Sequence, residues 1–300
     1  YVAVTALNAY TKNNYTDSGW DFTNTWYMVD GELRPMLRMT LDQTGRTWDT
    51  FGDAVPGTYT IRSAEQLQLV RAHTDKGGSY TAGKTYTLLN DIDFAAALAD
   101  SGVWRTAATK TTKDLYGFVP IGANPSGSLF NGKFDGQRHV IRGLTISRPQ
   151  ASDGGGLFGR VTGATIQNIG LEGGIVVGTS STGSLAGGLD SDSSVFNAWS
   201  SVDVTGAGFV GGLIGSTGAG VTLTNVSTSG AVVGNDVVGG LVGAVSGVGG
   251  ARIVGASSTG SVTGGGRVGG LLGSVASGSV IINARASGDV TQTKSSTNML

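Results

Sequence analysis

The chain has 300 residues, no cysteine and a formal net charge of −1, with 20 lysines and arginines against 21 aspartates and glutamates. Without cysteine there can be no disulfide, no thiolate metal site and no cysteine nucleophile. The balanced charge gives no electrostatic reason to bind nucleic acid or an anionic membrane surface. The 52 glycines lack the every-third-residue spacing of collagen. We therefore expect neither a disulfide-stabilised or cysteine-dependent protein, nor a nucleic-acid-binding or membrane-surface protein, nor a collagen.

Aromatic residues are frequent near the start of the chain, and we expect those between positions 15 and 51 to pack at a cap or a junction. An exposed tryptophan there could instead form a platform on which a sugar stacks. The candidates for such a platform are Trp20, Trp26 and Trp48.

The first predicted element of regular structure is a short helix near residues 63–74. The tetrapeptide Ser63–Gln66 has the pattern of a capping box, Leu67 and Val70 fall on one helical face, and Gly77 is placed to end the helix. We expect this helix to cover the open end of the strands that follow it, because unpaired strand edges otherwise recruit other chains.

The first strands are predicted between this helix and residue 146. Residues 85–94 alternate between apolar and polar side chains, as a half-buried strand does. Residues 95–117 form an excursion rich in alanine and threonine, and residues 130–146 are predicted to supply further strands.

The second half of the chain differs in composition from the first. Residues 151–300 contain 37 of the 52 glycines but only 12 of the 41 charged residues. Glycine costs about 1 kcal/mol at each interior position of a helix, so this half cannot be helical. Valine and isoleucine mixed with serine and threonine indicate many short strands separated by glycine turns.

Apolar residues recur through this half with a near-constant period. One column is Val176, Val204, Val232, Val262 and Val290, with spacings of 28, 28, 30 and 28. A second column is Ile166, Val195, Leu223, Ile253 and Ile281, with spacings of 29, 28, 30 and 28. Each unit is too small to bury its own apolar face, so neighbouring units must stack. We predict an all-β chain that forms a right-handed parallel β-helix with about 28 residues per coil.

Two further sets of residues mark the same units. A Gly-Gly-Leu motif places leucines at Leu157, Leu189, Leu213, Leu241 and Leu271, with looser spacings of 32, 24, 28 and 30. Two residues after the second apolar column stand Asn168, Asn197, Asn225, Gly255 and Asn283. The asparagines are predicted to form a ladder of side-chain amides along the axis. The predicted structural ladder therefore consists of Asn168, Asn197, Asn225, Asn283, Leu157, Leu213, Leu241 and Leu271.

The sequence Gly211-Gly212-Leu213-Ile214-Gly215 and its counterparts resemble the GLUG repeats of bacterial surface proteins. The stretch before them is similar to the segments that lead into such a block, namely residues 59–67, 88–93, 118–122 and 130–136. The combination resembles filamentous-haemagglutinin-like adhesins that are exported by two-partner secretion.

The resemblance implies three segments. Residues 1–40, with Trp20-Asp21-Phe22, Trp26 and Arg34–Arg38, look like the end of a preceding block. Residues 41–128 would hold the helix and the first strands, and residues 129–300 the GLUG-type coils. The closing segment comes first in this chain, and the last unit stops without one. This order predicts a window from a longer array.

Three short patterns resemble motifs of other functions, but the elements predicted around each pattern argue against that function. Residues 78–85 match a phosphate-binding loop, but a helix precedes them and a strand follows, which is the inverse of what that loop needs. Residues 206–211 match the dinucleotide fingerprint without the helix it requires. Residues 204–235 carry no charge, as a membrane span would require, but their regular threonines, serines and asparagines argue against one.

Acidic residues leave an enzyme as the alternative, because parallel β-helices also serve as polysaccharide lyases and hydrolases. Such reactions need paired carboxylates in one groove, or a metal cluster with a base. Asp91, Asp93 and Asp135 are expected to cap turns and strand ends, whereas Asp190 and Asp192 could bind a cation. His73 and His139 do not have the spacing of metal ligands. No cofactor is predicted.

The sequence thus favours a structural and adhesive segment of a large extracellular fibre on the bacterial surface, and no catalysis. The predicted partners are neighbouring blocks or other copies of the same fibre, with host or biofilm glycans or proteins as possible ligands. The edges of the ladder and the inserted loops at 95–117 and 178–192 are predicted to contact such ligands.

Overall fold

The computed structural model describes residues 8–23, 25–37, 57–77, 80–100, 103–106, 116–122, 129–149 and 155–293, except for the side chains of Leu37 and Asp100. It is a parallel β-helix of about eight turns. The predicted fold class and the coil length of about 28 residues are confirmed. No helix in the described part of the chain is long and apolar enough to cross a membrane.

The helices and strands are short. Before residue 150 they are a 3-10 helix (Asn8–Tyr10), α1 (Asn13–Thr16), β1 (Trp26–Tyr27), β2 (Met36–Leu37), β3 (Thr58–Ile61), α2 (Ala64–Thr74), β4 (Thr85–Leu88), β5 (Ile92–Asp93), α3 (Phe94–Asp100), β6 (Tyr116–Gly117), β7 (Lys133–Asp135) and β8 (Val140–Ser147).

Residues 155–293 form strands and turns only. The strands are β9 (Phe158–Thr162), β10 (Thr165–Val177), β11 (Ser181–Thr182), β12 (Ala186–Asp190), β13 (Ser194–Ser200), β14 (Asp203–Thr205), β15 (Phe209–Gly211), β16 (Ile214–Thr217), β17 (Thr222–Thr228), β18 (Val232–Gly234), β19 (Val237–Gly239), β20 (Val242–Val245), β21 (Arg252–Ser258), β22 (Val262–Gly264), β23 (Arg267–Gly269), β24 (Leu272–Ser274), β25 (Val280–Ala286) and β26 (Val290–Gln292).

Successive coils pair as parallel strands in three stacked sheets. The largest sheet has 15 strands, and β10 lies near its middle because it belongs to two rows. One row is β3, β4, β7, β10, β13, β17, β21 and β25, and the other includes β8, β10, β14, β18, β22 and β26. The other two sheets are β11-β15-β19-β23 and β9-β12-β16-β20-β24.

The two predicted apolar columns are confirmed by the strand register. Ile166, Val195, Leu223, Ile253 and Ile281 are aligned from coil to coil, as are Val176, Val204, Val232, Val262 and Val290. The first of these columns continues toward the N-terminus through Phe134, Tyr86 and Tyr59. It therefore runs through eight coils, and its first seven residues are no more than 3% exposed. Ile281, in the last described coil, is 42% exposed.

The leucine column differs from the prediction at one coil. Leu185, and not Leu189, is the residue aligned with Leu213, since the Leu185 amide donates to the Leu213 carbonyl at 3.0 Å. Leu189 is aligned instead with Val161 and Thr217. The true column of Leu157, Leu185, Leu213, Leu241 and Leu271 has regular spacings of 28, 28, 28 and 30. The predicted spacing was irregular because the Gly-Gly-Leu triplet in this coil ends at Leu189, four residues after the aligned Leu185.

The segment 178–192 is therefore not an inserted loop. Its strands β11 and β12 occupy regular places in the two smaller sheets. An actual two-residue insertion lies between β20 and β21, where the register changes from 28 residues at Val245 to 30 residues at Arg252. Val248, in this longer turn, is 97% exposed.

The predicted helix is present as α2, which connects the first two strands of the long sheet. Ser63 Oγ accepts a hydrogen bond from the Gln66 amide at 3.2 Å, and Gln66 Oε1 accepts from the amide of Arg62. The capping box is thus formed with its second bond one residue earlier than in the standard pattern. The helix ends at Thr74, and Gly77 follows it with a φ of 78°.

A buried glutamine fixes α2 to the coils. Gln68 donates to the Val119 carbonyl at 2.8 Å and accepts from the Val119 amide at 2.9 Å and from Trp104 Nε1 at 2.7 Å. Trp104 and Gln68 are both essentially inaccessible to solvent. The described residues of 95–117 thus include a core tryptophan, although the segment was predicted to be an excursion rich in alanine and threonine.

Residues 85–94 also differ from the single strand that was predicted. They form β4 and β5 with a break between them, and Phe94 begins α3. Asp93 Oδ1 accepts a hydrogen bond from the Ala96 amide at 3.0 Å, which favours the start of a helix at this point.

The segment 8–37 packs against the cap formed by α2 and its neighbours. Tyr10 donates its hydroxyl to the Trp104 carbonyl at 2.9 Å, and Tyr27 donates to Asp75 at 2.8 Å. Arg148 forms a nearly buried ion pair with Glu32. The assignment of residues 1–40 to a preceding block stays a prediction, as do the other two segment boundaries.

Candidate functional site

The longest strands of each coil bend at a residue in the left-handed region. The φ angles there are 55° at Asn168, 50° at Asn197, 53° at Asn225, 65° at Gly255 and 52° at Asn283. Among residues with a side chain, asparagine tolerates this conformation best, because its short amide can bond locally. This explains why four of these five bends carry asparagine and the fifth carries glycine.

Side-chain amides join the bends of successive coils. Asn225 donates Nδ2 to Asn197 Oδ1 at 3.2 Å, and Asn197 donates to Asn168 Oδ1 at 3.0 Å. Asn168 in turn donates to Asp135 Oδ1 at 3.1 Å. Gly255 interrupts the ladder because it has no side-chain amide, and it therefore leaves one coil without a ladder group between Asn225 and Asn283. The four leucines of the predicted ladder lie in the core instead, where Leu157, Leu213 and Leu241 are fully buried and Leu271 is partly buried.

A shallow groove of about 380 Å³ runs beside the ladder on the outer surface. Its lining residues are Arg138, Asn168, Ile169, Gly170, Asn197, Ala198, Trp199, Asn225 and Ser227. A second depression of about 360 Å³ continues along the next coils and is lined by Gly255, Ala256, Ser257, Asn283, Ala284 and Arg285. The same strand positions line both depressions, so we treat them as one feature and call it the ladder groove.

Trp199 is the main side chain of the ladder groove, and repeat analysis missed it. It points outward from β13 and is 39% exposed. The indole lies over Gly170 of the preceding coil, where a Cβ atom would come within 2.5 Å of Cζ2. The aligned residues in the following coils are Ser227, Ser257 and Arg285. A lone tryptophan at a position otherwise occupied by small or polar residues was the available signal.

Asp91 lies in an ion-pair network on the surface. Its carboxylate accepts from Arg142 at 2.8 Å, from the Val140 amide at 3.0 Å and from His139 Nδ1 at 3.1 Å. The hydrogen bond from Arg142 is the largest cause that lowers the pKa of Asp91 to about 2. Arg142 also pairs with Glu172 at 2.7 Å. Asp91 is therefore ionised at neutral pH and has no proton to supply as a general acid.

Asp135 lies at the end of the amide ladder. Burial raises its pKa, but hydrogen bonds from the Gln137 amide, Asn168 and Gln167 outweigh burial, so the pKa is lowered overall. Gln167 donates to it at 2.6 Å. This carboxylate terminates the ladder by accepting amide protons, which is the strand-end role that the sequence predicted for it.

The other singled-out acidic and histidine residues are dispersed. Asp190 pairs with Arg160 at 2.5 Å, and Asp192 adopts a φ of 58° in the following turn. His73 is buried in α2, with Nδ1 at 2.7 Å from the Tyr86 hydroxyl. No group of three histidine, aspartate or glutamate side chains that could hold a metal ion occurs among the described residues.

The remaining sequence patterns have structural roles where they are described. Residues 206–211 form a turn and β15, which is followed by strand β16. Gly78 and Ser79 of the phosphate-loop pattern lie outside the described residues, and the rest of it is a turn that leads into β4. Trp20 is 36% exposed and lies against Trp26 with ring centroids 4.2 Å apart. Trp48 also lies outside the described residues.

Comparisons with known proteins relate the chain to a sequence relative and to a solved structure. No protein-family model matches the chain. The chain is 33% identical over 185 residues to halomucin of Haloquadratum walsbyi, an alignment that covers 61% of this chain and 2% of halomucin. It also resembles the crystal structure of a candidate immunoglobulin A1 protease from Bacteroides ovatus, with a TM-score of 0.45 and 19% identity over 78% of this chain and 83% of that one. The chain thus matches a small part of a much longer protein.

Proposed function

We propose that this chain is a structural and adhesive segment of a large extracellular surface fibre. The observation that carries the proposal is the interior of the coils. Within residues 155–293, the buried polar side chains are serines and threonines only. Among the described residues, the buried charged side chains, such as Arg71 and Arg148, all lie before residue 150. A coil interior without ionisable groups suits a shaft, because it can be repeated without adding unpaired buried charge.

The outer surface gives further support. Asp91 and Asp135 are the two carboxylates that an enzyme reading would use first, and both have lowered pKa values. A glycosidase needs one protonated carboxylic acid beside one carboxylate. The state of these two residues therefore favours a binding or structural role over glycoside hydrolysis by this pair.

The location is proposed from sequence similarity. Halomucin is a surface protein, and this chain shares 33% identity with a short part of it. The resemblance to GLUG repeats and to filamentous-haemagglutinin-like adhesins supports the same location, with export by two-partner secretion. The proposed partners are neighbouring blocks or further copies of the fibre, and host or biofilm glycans or proteins.

The proposal is tested on intact source cells with antibodies raised against the purified chain. We expect immunogold labelling of filaments outside the cell, and loss of attachment when monovalent antibody fragments cover the chain. Labelling confined to the cell interior, or unchanged attachment at saturating antibody, would contradict the proposal. A polysaccharide screen provides the enzymatic arm: release of reducing ends or unsaturated products that Asp91→Asn abolishes would replace the proposal by an enzyme.

A further inference from the structure

The ladder groove has the features of a binding site for a carbohydrate chain. We infer that it binds a linear acidic polysaccharide, with one sugar ring stacked on Trp199. The inference rests on the proposed adhesive function and names the class of ligand that the fibre would hold. Three properties of the groove support the inference: an exposed aromatic ring, a row of side-chain amides, and a lining that contains arginine but no acidic residue.

The ring of Trp199 is exposed and supported from beneath. The absence of a side chain at Gly170 lets the indole lie directly on the backbone of the neighbouring coil. Trp199 nevertheless remains 39% exposed. Tryptophan combines a large apolar face with a polar N–H, which suits a ligand that is apolar on its ring face and polar at its edge. A sugar ring has this character.

The amide ladder supplies polar groups beside that ring. Each side-chain NH₂ of asparagine has two donors, and the ladder bond between Asn197 and Asn168 uses one of them. The same holds for Asn225. The second donor and the second lone pair of each amide oxygen are available to sugar hydroxyls. Because the amides are fixed by one another, a ligand would order few side chains when it binds.

The shape and charge of the groove select an acidic chain. The lining residues of the two depressions include Arg138 and Arg285 but no aspartate or glutamate. From Asn168 to Asn283 the groove crosses four coil steps, which amounts to about 19 Å at the spacing of strands in a sheet. Several sugar residues fit this length. The guanidinium groups lie toward its two ends, where they can pair with carboxylates of the chain.

The test is isothermal titration calorimetry of the full chain with short oligogalacturonates. Trp199→Ala is expected to weaken binding at least about tenfold, which is 1.4 kcal/mol. Gly170→Ala keeps the tryptophan but displaces it, so the same direction of change is expected. Phe209→Ala removes another exposed aromatic side chain, which lies outside the ladder groove, and serves as the matched control, with unchanged affinity. Trp199→Phe retains a ring and is expected to bind with intermediate affinity.

The charge is tested separately. The double variant Arg138→Gln and Arg285→Gln is expected to lose affinity and to show a weaker dependence on salt, because ionic contacts are screened by salt. Neutral maltooligosaccharides of equal length are expected to bind much more weakly than oligogalacturonates. Equal binding of the neutral chains would overturn the inference, as would unchanged affinity in Trp199→Ala or an equal loss in Phe209→Ala. Circular dichroism of each variant checks that the coils are intact.

Failure of the inference can be told apart from failure of the proposed function. Beads coated with the chain are tested for attachment to source-cell biofilm in parallel with calorimetry. If the beads attach but oligogalacturonates do not bind, the inference falls and the adhesive function stands. If oligogalacturonates bind through Trp199 but the beads attach to nothing, the site stands and the adhesive function falls.

Discussion

The two halves of the β-helix share one inward column but fill it differently. The column begins with Tyr59, Tyr86 and Phe134 and continues as Ile166, Val195, Leu223, Ile253 and Ile281. Around the first three residues the core is aromatic, with Tyr59 and Tyr86 stacked at a centroid distance of 5.1 Å. Around the others, apart from Phe158, it consists of aliphatic side chains and glycines with some serines and threonines.

The difference shows what a repeat requires. The aromatic half is held by contacts that occur once, such as the three hydrogen bonds of Gln68. The aliphatic half repeats glycines where no side chain fits, since a Cβ at Gly211, Gly239 or Gly269 would lie 2.0 Å from a carbonyl oxygen. Contacts that occur once are suited to covering one end of the β-helix. Contacts that recur in each coil allow further coils to be added in the same way.

The largest expected effect comes from the junction between the two halves. Phe134 is fully buried, aligned with Tyr86 on one side and Ile166 on the other, and its ring lies 5.3 Å from that of Phe158. Phe134→Ala is expected to lower the free energy of unfolding by about 3–5 kcal/mol, because it leaves a cavity. Urea denaturation measures the loss. A change below about 1 kcal/mol would contradict a continuous core at this point.

A matched pair of leucines tests the gradient of burial along the coils. Leu213 is fully buried, whereas Leu271, in the same column, is only partly buried. Leu213→Ala is expected to cost about 2–5 kcal/mol, and Leu271→Ala less than half of that amount. Thermal unfolding of the two variants gives the comparison. Equal losses would show that the last described coil is packed as tightly as the middle ones.

The interrupted ladder can be completed by substitution. Gly255→Asn keeps a residue that tolerates a φ of 65° and places an amide between Asn225 and Asn283. The nearest atom to a Cβ there is Asn225 Oδ1 at 2.8 Å, which must shift slightly, whereas the Asn225 backbone lies at an ordinary contact distance of 3.7 Å. The new hydrogen bonds are expected to raise the free energy of unfolding by about 0.5–1.5 kcal/mol.

Gly255→Ala is the control for this substitution. Alanine must adopt the left-handed backbone conformation there and has no side-chain amide to bond to its neighbours. The variant is therefore expected to be destabilised by about 1 kcal/mol. If both variants are destabilised equally in chemical denaturation, the amides contribute nothing and the ladder is only a consequence of backbone geometry.

The smallest effect concerns the surface network of Asp91. Its pKa of about 2 in the folded chain lies below the ordinary value of 3.8. Its contribution to stability is therefore present above about pH 4 and is lost as the pH falls toward 2. Asp91→Asn is expected to lower stability by less than about 1 kcal/mol near neutral pH, because the network is exposed. Thermal melts of both proteins should converge near pH 2, and a difference that grows on acidification would contradict the assignment.

The sequence predicted what recurs in this molecule. Val, Ile and Leu columns with a 28-residue step require stacked coils, and asparagine at the same place in four coils indicated the amide ladder. The register of Leu185 was missed because Ser184 replaces a glycine of the motif, while Gly187-Gly188-Leu189 reproduces it four residues later. Strand pairing, which only the fold reveals, corrects this error.

Features that occur once could not be found in the same way. Trp199 has no counterpart in the other coils, so a search for repeats passes over it. The hydrogen bond between Trp104 and Gln68 joins residues 36 positions apart, and no local pattern announces a contact over that distance. The candidate site was therefore predicted only in its repeated part, the amides, and not in the tryptophan that gives the groove its character.

The columns, the amide ladder and the ladder groove all require coils that stack in one register with a 28-residue step. The chain contains no cysteine, so two can be introduced without competing thiols. Gly188 is aligned with Ser216, and a Cβ at Gly188 would lie 3.7 Å from Ser216 Oγ. Under mild oxidation, the double variant Gly188→Cys and Ser216→Cys should form an intramolecular disulfide, detected by mass spectrometry of the unreduced protein. A disulfide in the alternative pair Asp192→Cys and Ser216→Cys, which matches the register of the Gly-Gly-Leu triplets, and none in the first pair would contradict it.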